Sequence, residues 1–299
     1  MFKANQRLVV FLEIALLTIA SGCIVKRTVH VKVPPNIGQD KTASLDELMN
    51  IIRRNDDIKS LASGSLKMTL TTGRIESGKL QKYRRAPGHI LLKRPDSLFL
   101  HVGSSLGPIL DLLSEGDDFK LWDARGNKLY TGKNSAKCEL VPENSLKDNG
   151  LDFPGRPQHI FEGILPPGIN VDSPGVWVSL EEQAGETARY YVLTFSREGA
   201  SHRIHIFRKI WIERTGLTIA RHQMYSEAGK IIGDFQYSQA TLINGFSLPL
   251  EINIDRPQDG YSLKLEVQQW QVDPDIDKGF EIIRPGAEDI PLKEKCKEP

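Results

Sequence analysis

Apolar positions along this chain follow a helical spacing near its start and a spacing of two over most of its length. Ser44-Leu45-Asp46-Glu47 has the form of a capping box, in which the serine hydroxyl and the glutamate side chain satisfy free amides of a first helical turn. Leu45, Leu48 and Ile52, with Met49, form one apolar stripe, which predicts a helix ending between Asn55 and Ile58. From Gly64 onward Leu66, Met68 and Leu70 alternate with polar residues, as do Leu248, Leu250, Ile252 and Ile254, and Leu263, Leu265 and Val267. Further strand-like runs cover 97–102, 109–113, 119–122, 176–180, 190–195, 204–212, 217–225 and 231–237. Links such as Arg125-Gly126-Asn127, Arg214-Thr215-Gly216 and Ala228-Gly229 are only a few residues long. Such links imply antiparallel neighbours, because parallel strands need crossovers of a dozen or more residues.

A second helical segment falls within 151–166, where Ile160, Phe161, Ile164 and Leu165 share one face. It reads equally well as a lid over an open barrel and as an ordinary packed helix. The expected fold class is mainly β with few helices: a curved antiparallel sheet forming an unclosed β-barrel covered by short helices.

The first residues change the picture. Lys3 and Arg7 precede an apolar stretch from Leu8 to Ile19, and Ile19-Ala20-Ser21-Gly22 leads into Cys23. This reads as a lipoprotein export signal over 1–22, with a lipidated Cys23 starting the mature chain. A membrane span would need about 20 apolar residues, and Glu13 divides this stretch. Residues 23–42, with Pro34-Pro35, read as the lipidated N-terminus and a tether, and 43–299 as a single domain with a C-terminal tail. Ile24 in place of Asp favours the outer membrane by analogy with enteric sorting.

Removing Lys3, Arg7 and Glu13 with the leader from 39 basic and 38 acidic residues leaves 37 of each. A neutral mature chain argues against nucleic acid as a partner. Of the 3 cysteines, Cys23 is assigned to lipid. Cys138 and Cys296 could form a disulfide pinning the C-terminal tail, or stay as two unpaired thiols; the sequence does not establish that they meet.

Catalytic and metal chemistry find little support. His202 and His205 would point to opposite faces of a strand. Asp273, Asp275 and Asp277 begin like a calcium loop, but Lys278 stands where glycine is needed and Arg284 where glutamate is needed. No nucleophile elbow or phosphate-binding glycine loop occurs. The expectation is a non-enzyme with no cofactor and no metal. Lys79, Lys82, Arg84, Arg85, Lys93 and Arg94 form a basic cluster, read as a solvated sheet face or as a receiver of acidic partners or anionic headgroups. Arg208 interrupts the apolar set Ile204, Ile206, Ile210 and Ile212, so an inward-facing Arg208 needs a partner or a place at the rim.

The segments Arg94-Pro95-Asp96-Ser97-Leu98-Phe99-Leu100-His101-Val102, Ser105-Leu106-Gly107-Pro108-Ile109-Leu110-Asp111-Leu112, Asp118-Phe119-Lys120-Leu121-Trp122 and Lys128-Leu129-Tyr130-Thr131-Gly132 resemble the LolA/LolB family of lipoprotein carriers and receptors, closest to the membrane-anchored LolB type. Phe153 to Pro166 and Leu248-Pro249-Leu250-Glu251-Ile252 are similar to later parts of the same family. The resemblance implies an open barrel whose cavity holds acyl chains, lined or lidded by Leu45, Leu48, Ile52, Leu66, Met68, Leu70, Ile160, Phe161, Ile164 and Leu165. It also implies a membrane-delivery loop at Leu106, Gly107 and Pro108, although Ser105 replaces the proline of the family's turn.

The expected function is a monomeric, membrane-anchored acceptor, facing the periplasm, that takes lipidated proteins from a soluble LolA-like carrier and helps insert them into the outer membrane. The alternatives are an envelope lipoprotein of the same fold that binds another lipid or an assembly partner, and a purely structural lipoprotein with a filled barrel.

Overall fold

The computed structural model describes residues 38–72, 81–142, 156–166, 168–185, 188–199, 202–276 and 279–296. The leader over 1–22, Cys23, the tether up to 37, Lys79, Phe153, Asp277 and Lys278 lie outside the described residues, as does the side chain of Arg84.

The first helix, α1 (Leu45–Arg54), starts at the expected capping box: the Glu47 amide donates to Ser44 Oγ at 3.3 Å and the Ser44 amide to Glu47 Oε2 at 2.7 Å. Asp46 and Glu47 in its first turn and Arg53 and Arg54 in its last complement the helix dipole. A short 3-10 turn, Asn55–Asp57, then ends the helical stretch.

Most of the remaining chain enters one sheet. Its strands are β1 (Ser60–Thr72), β2 (Gln81–Lys93), β3 (Ser97–Ser104), β4 (Gly107–Glu115), β5 (Asp118–Asp123), β6 (Lys128–Lys133), β7 (Glu139–Pro142), β8 (Val176–Ala184), β9 (Arg189–Glu198), β10 (Ile204–Glu213), β11 (Thr218–Tyr225), β12 (Ile231–Ile243), β13 (Phe246–Arg256), β14 (Tyr261–Val267), β15 (Gln271–Val272) and β16 (Glu288–Lys295). The order across the 16-stranded sheet is β7-β16-β6-β5-β4-β3-β2-β1-β14-β13-β12-β11-β10-β9-β8, with β15 beside β1. Its edges, β7 and β8, do not meet, so this is the mainly β, unclosed architecture expected from the alternation. Register shifts at Ser63/Leu66 and Met68/Leu70, where β1 meets β2, mark bulges that bend the sheet.

The alternation missed β2, because Arg85, Pro87 and Gly88 break its apolar rhythm, and it missed the role of the last residues. The segment expected as a tail contains β16, which runs parallel to β6 and antiparallel to β7. Cys138 and Cys296 are joined by a disulfide with Cα atoms 5.0 Å apart across a sequence separation of 158 residues. Asn127 Nδ2 donates to the Gly286 carbonyl at 2.9 Å, and Arg284 stacks on Trp122 and reaches the buried Asp111 carboxylate. The tether is also fixed earlier than expected: the Lys41 amide donates to the Arg214 carbonyl at 3.0 Å, and Arg189 pairs with Asp40 at 2.9 Å.

Two apolar clusters form the core. The larger joins β1 to β5 and β12 to β14 to the second helix, α2 (Pro157–Ile164). Leu66, Met68 and Leu70 of β1 and Ile160, Phe161 and Ile164 of α2 all belong to it. Gly163 lets α2 sit this close, since a Cβ there would lie 2.8 Å from Ile254 Cδ1 and 2.9 Å from Phe235 Cδ1. The smaller cluster packs Leu48, Met49 and Ile52 of α1 on Tyr191, Leu193, Phe195, Ile210 and Ile212. Each helix therefore fills its own part of the sheet, and neither alone covers the ground between them.

Candidate functional site

That ground is a cleft. Its walls include Ile52 and Asn55 from the end of α1, Ile164, Leu165 and Pro166 from the end of α2, and residues of β10 to β13. A cavity of about 100 Å³ lies within a wider cleft whose empty space, open mouth included, is about 920 Å³. Ile210, Ile219, Ala220, Leu248 and Pro249 supply apolar wall, while Arg208, His222, Tyr237, Gln239, Asp56 and Glu213 supply polar and charged groups.

The strand registry explains why these side chains meet. Ile210 lies opposite His222 and His222 opposite Phe235, so all three share one face of the sheet. Arg208 stands two residues before Ile210 and Tyr237 two residues after Phe235, so both fall on that face too. Arg208 is 7% exposed and His222 1% exposed. Burial lowers the pKa of Arg208, against the raising effect of Glu162, Tyr237 and Asp56. Burial, helped by Arg208, pushes His222 well below the ordinary histidine value and leaves the ring neutral. The Tyr237 hydroxyl donates to the Gly163 carbonyl at 2.9 Å and so ties α2 to the cleft floor, and burial raises its pKa.

The Arg94 guanidinium bridges the two helices. Its Nη2 donates to the Asn55 carbonyl at 3.2 Å and the Pro166 carbonyl at 3.3 Å, its Nε donates to Ile58 at 3.1 Å, and Asp56 pairs with it at 3.7 Å. Arg94 therefore bonds to the chain just past both helices at the cleft.

Of the residues expected to line or lid a cavity, Ile52, Ile164 and Leu165 do border the cleft. Leu45 is half-buried and packs with Leu48 in the smaller cluster, on the underside of α1. Leu66, Met68, Leu70, Ile160 and Phe161 lie in filled core rather than at the cleft, because α2 places its own side chains where the open barrel would be empty. Arg208 was flagged by its place in an apolar run, whereas His222 and Tyr237 carried no pattern, since only strand pairing brings them together. Arg94 was visible as one of a basic cluster, but its inward turn was not.

Leu106 is 97% exposed at the tip of the β3–β4 hairpin. The Leu106 amide donates to Ser104 Oγ at 3.2 Å, and the Ser104 hydroxyl donates to the Gly107 carbonyl at 3.1 Å. Gly107 has φ +133°, so a backbone state open to glycine shapes the tip that Ser105 and Pro108 flank. Antiparallel alternation puts this hairpin on the same rim as the β11–β12 and β13–β14 turns. The cleft approaches the other rim, formed by the β10–β11 and β12–β13 turns, where Leu242 is 74% exposed.

Among the described residues no helix is long and apolar enough to cross a membrane. The one group of potential metal ligands found there, Cys138, Glu294 and Cys296, has both thiols committed to the disulfide. His202 and His205 do not pair: His202 accepts or donates at Glu198, 2.6 Å away, and His205 meets Arg197. Asp273 accepts the amides of Lys59 and Ser60, a structural use of the residue that began the calcium-like run.

No family model and no curated protein sequence matches the chain. Among solved structures it is similar to a DUF1329 family protein from Desulfovibrio piger, with 13% identity, 80% of this chain and 98% of that one covered, and a TM-score of 0.48. It is also similar to a LolA superfamily protein from Nitrosomonas europaea, with 14% identity, coverage of 79% and 97%, and a TM-score of 0.44. A putative outer membrane lipoprotein-sorting protein domain from Vibrio parahaemolyticus shows 10% identity, coverage of 77% and 94%, and a TM-score of 0.43. At TM-scores below 0.5 none of these alignments assigns a residue role here.

Proposed function

We propose that this chain is a non-catalytic envelope lipoprotein that binds an acyl chain in the cleft between α1 and α2. The observation that carries this reading is the cleft itself, an apolar-walled concavity left where two helices cover one open sheet. As it stands, the cavity of about 100 Å³ has room for only part of a long chain. On this reading, full occupation needs the helix ends bonded by Arg94 to part.

In the finer form of this reading, a lipid on Cys23 holds the protein on the outer membrane, facing the periplasm, and the cleft receives the acyl chains of lipoproteins from a soluble carrier. Transfer needs no nucleotide if the membrane binds the chains more tightly than the cleft does. The exposed Leu106 hairpin would then contact the bilayer. Lying on the rim opposite the cleft, it would act by docking the protein rather than by touching the cargo. The test is native mass spectrometry of the chain from residue 24 with and without a triacylated lipopeptide. Saturable one-to-one binding is the expected result, and absence of binding to lipopeptide and to extracted lipids alike leaves only the structural role.

A further inference from the structure

The cleft has a polar floor that an alkyl chain alone would leave unsatisfied. His222 is 1% exposed and lines the cavity, and neither of its ring nitrogens has a hydrogen-bond partner among the described residues. Its ring is held in place by stacking on Phe235, with centroids 5.1 Å apart. A neutral imidazole offers one N–H donor and one acceptor nitrogen. Buried polar groups of this kind are normally satisfied, and since both nitrogens are closed to solvent here, a ligand atom reaches them only once the cleft opens.

Arg208, on the neighbouring strand β10, lines the same cavity, and its charge acts on His222. Glu162 and Asp56 are the carboxylates whose charges act on Arg208 in turn. Around this pair stand Ile164, Leu165, Ile210, Ile219 and Leu248. The cavity thus has a cationic and hydrogen-bonding point at Arg208 and His222, apolar walls around it, and the carboxylates of Asp56 and Glu213 on its border. An arginine beside a neutral donor suits a planar oxygen acceptor, through charge-assisted hydrogen bonds.

We infer that the cleft takes a single-chain amphiphile head first. A carboxylate or acyl-ester oxygen is received by Arg208 and His222, and the alkyl chain runs out between Ile164 and Leu248. The inference rests on the reading of the cleft as an acyl-chain site and adds the chemistry of the head; it applies to a free amphiphile, because a head tied to a protein would not reach the floor. Tyr237 has no part in recognising the head, because its hydroxyl is already given to Gly163. An amine head would meet Arg208 with like charge.

The test titrates the purified full-length chain with decanoate, methyl decanoate and decylamine by calorimetry. Decanoate should bind one to one and at least tenfold more tightly than decylamine. Methyl decanoate binding as well as decanoate identifies an acyl ester as the natural head, and decanoate binding alone identifies a free acid. Arg208→Gln and His222→Phe should each cut the preference over decylamine to threefold or less, with unfolding curves checking that both variants are folded. Equal binding of all three ligands to the unsubstituted protein overturns the head-group inference and leaves the acyl-chain cleft standing. No binding by any of them overturns the cleft reading itself.

Discussion

Arg94 Nη2 donates to the carbonyl of Pro166 at 3.3 Å, across 72 positions of sequence. The same nitrogen donates to the Asn55 carbonyl, so the chain just past each helix that flanks the cleft is bonded to one guanidinium. Carbonyls at helix ends have no partner within the helix. Arg94 supplies that partner for two segments at once, and thereby couples them.

Arg94→Met keeps the aliphatic stem and removes the donors. Carbonyls left short of a partner typically cost about 1–3 kcal/mol, so the variant should unfold at lower urea. Amide exchange should rise together in 52–58 and 160–165. Exchange that rises in one helix alone would show that Arg94 does not couple them.

The disulfide should be worth more than a surface ornament. Replacing both Cys138 and Cys296 by serine frees a loop of sequence separation 158. The expected loss is about 2–4 kcal/mol on the usual scale for such bonds. Protection of the β16 amides over 288–295 should fall first, because β16 and β7 form an outer edge of the sheet. Hydrogen exchange combined with urea unfolding measures both effects.

His159 and His222 are both held well below the ordinary histidine value, in each case chiefly by burial. Unfolding lets them return to about 6.5. Their contribution to stability is therefore complete above pH 6.5 and is lost as pH falls toward their lowered folded values, by about 1.4 kcal/mol per pH unit for each ring. Glu162, raised by burial, works in the opposite sense in more acid solution. His222→Phe should lower the slope of stability between pH 6 and 5 by up to about 1.4 kcal/mol per pH unit, read from urea midpoints; an unchanged slope would mean that the ring is not buried neutral.

Leu106→Glu should leave stability within about 0.5 kcal/mol of the parent, as expected for a side chain this exposed. Ligand binding should also be unaffected, because the hairpin lies away from the cleft. Association with anionic vesicles, followed by sedimentation, should weaken severalfold. Unaltered association would remove Leu106 from the membrane-docking role, and a matching loss in Leu242→Glu would move that role to the rim beside the cleft.

The sequence by itself determined the local elements. The Ser44–Glu47 box set the start of α1, the period-two runs set most strands, and short links set their antiparallel pairing, because each of these depends on neighbours within a few residues. It also raised Cys138 with Cys296 and the odd position of Arg208. Tertiary structure decided the rest. Whether Leu66, Met68 and Phe161 face a void or a filled core depends on how far α2 sinks into the sheet, which Gly163 permits and no periodicity encodes. The meeting of Arg208 and His222 follows from strand registry, and the inward turn of Arg94 from two helix ends that converge in space, contacts made between residues too distant along the chain to leave a pattern in it.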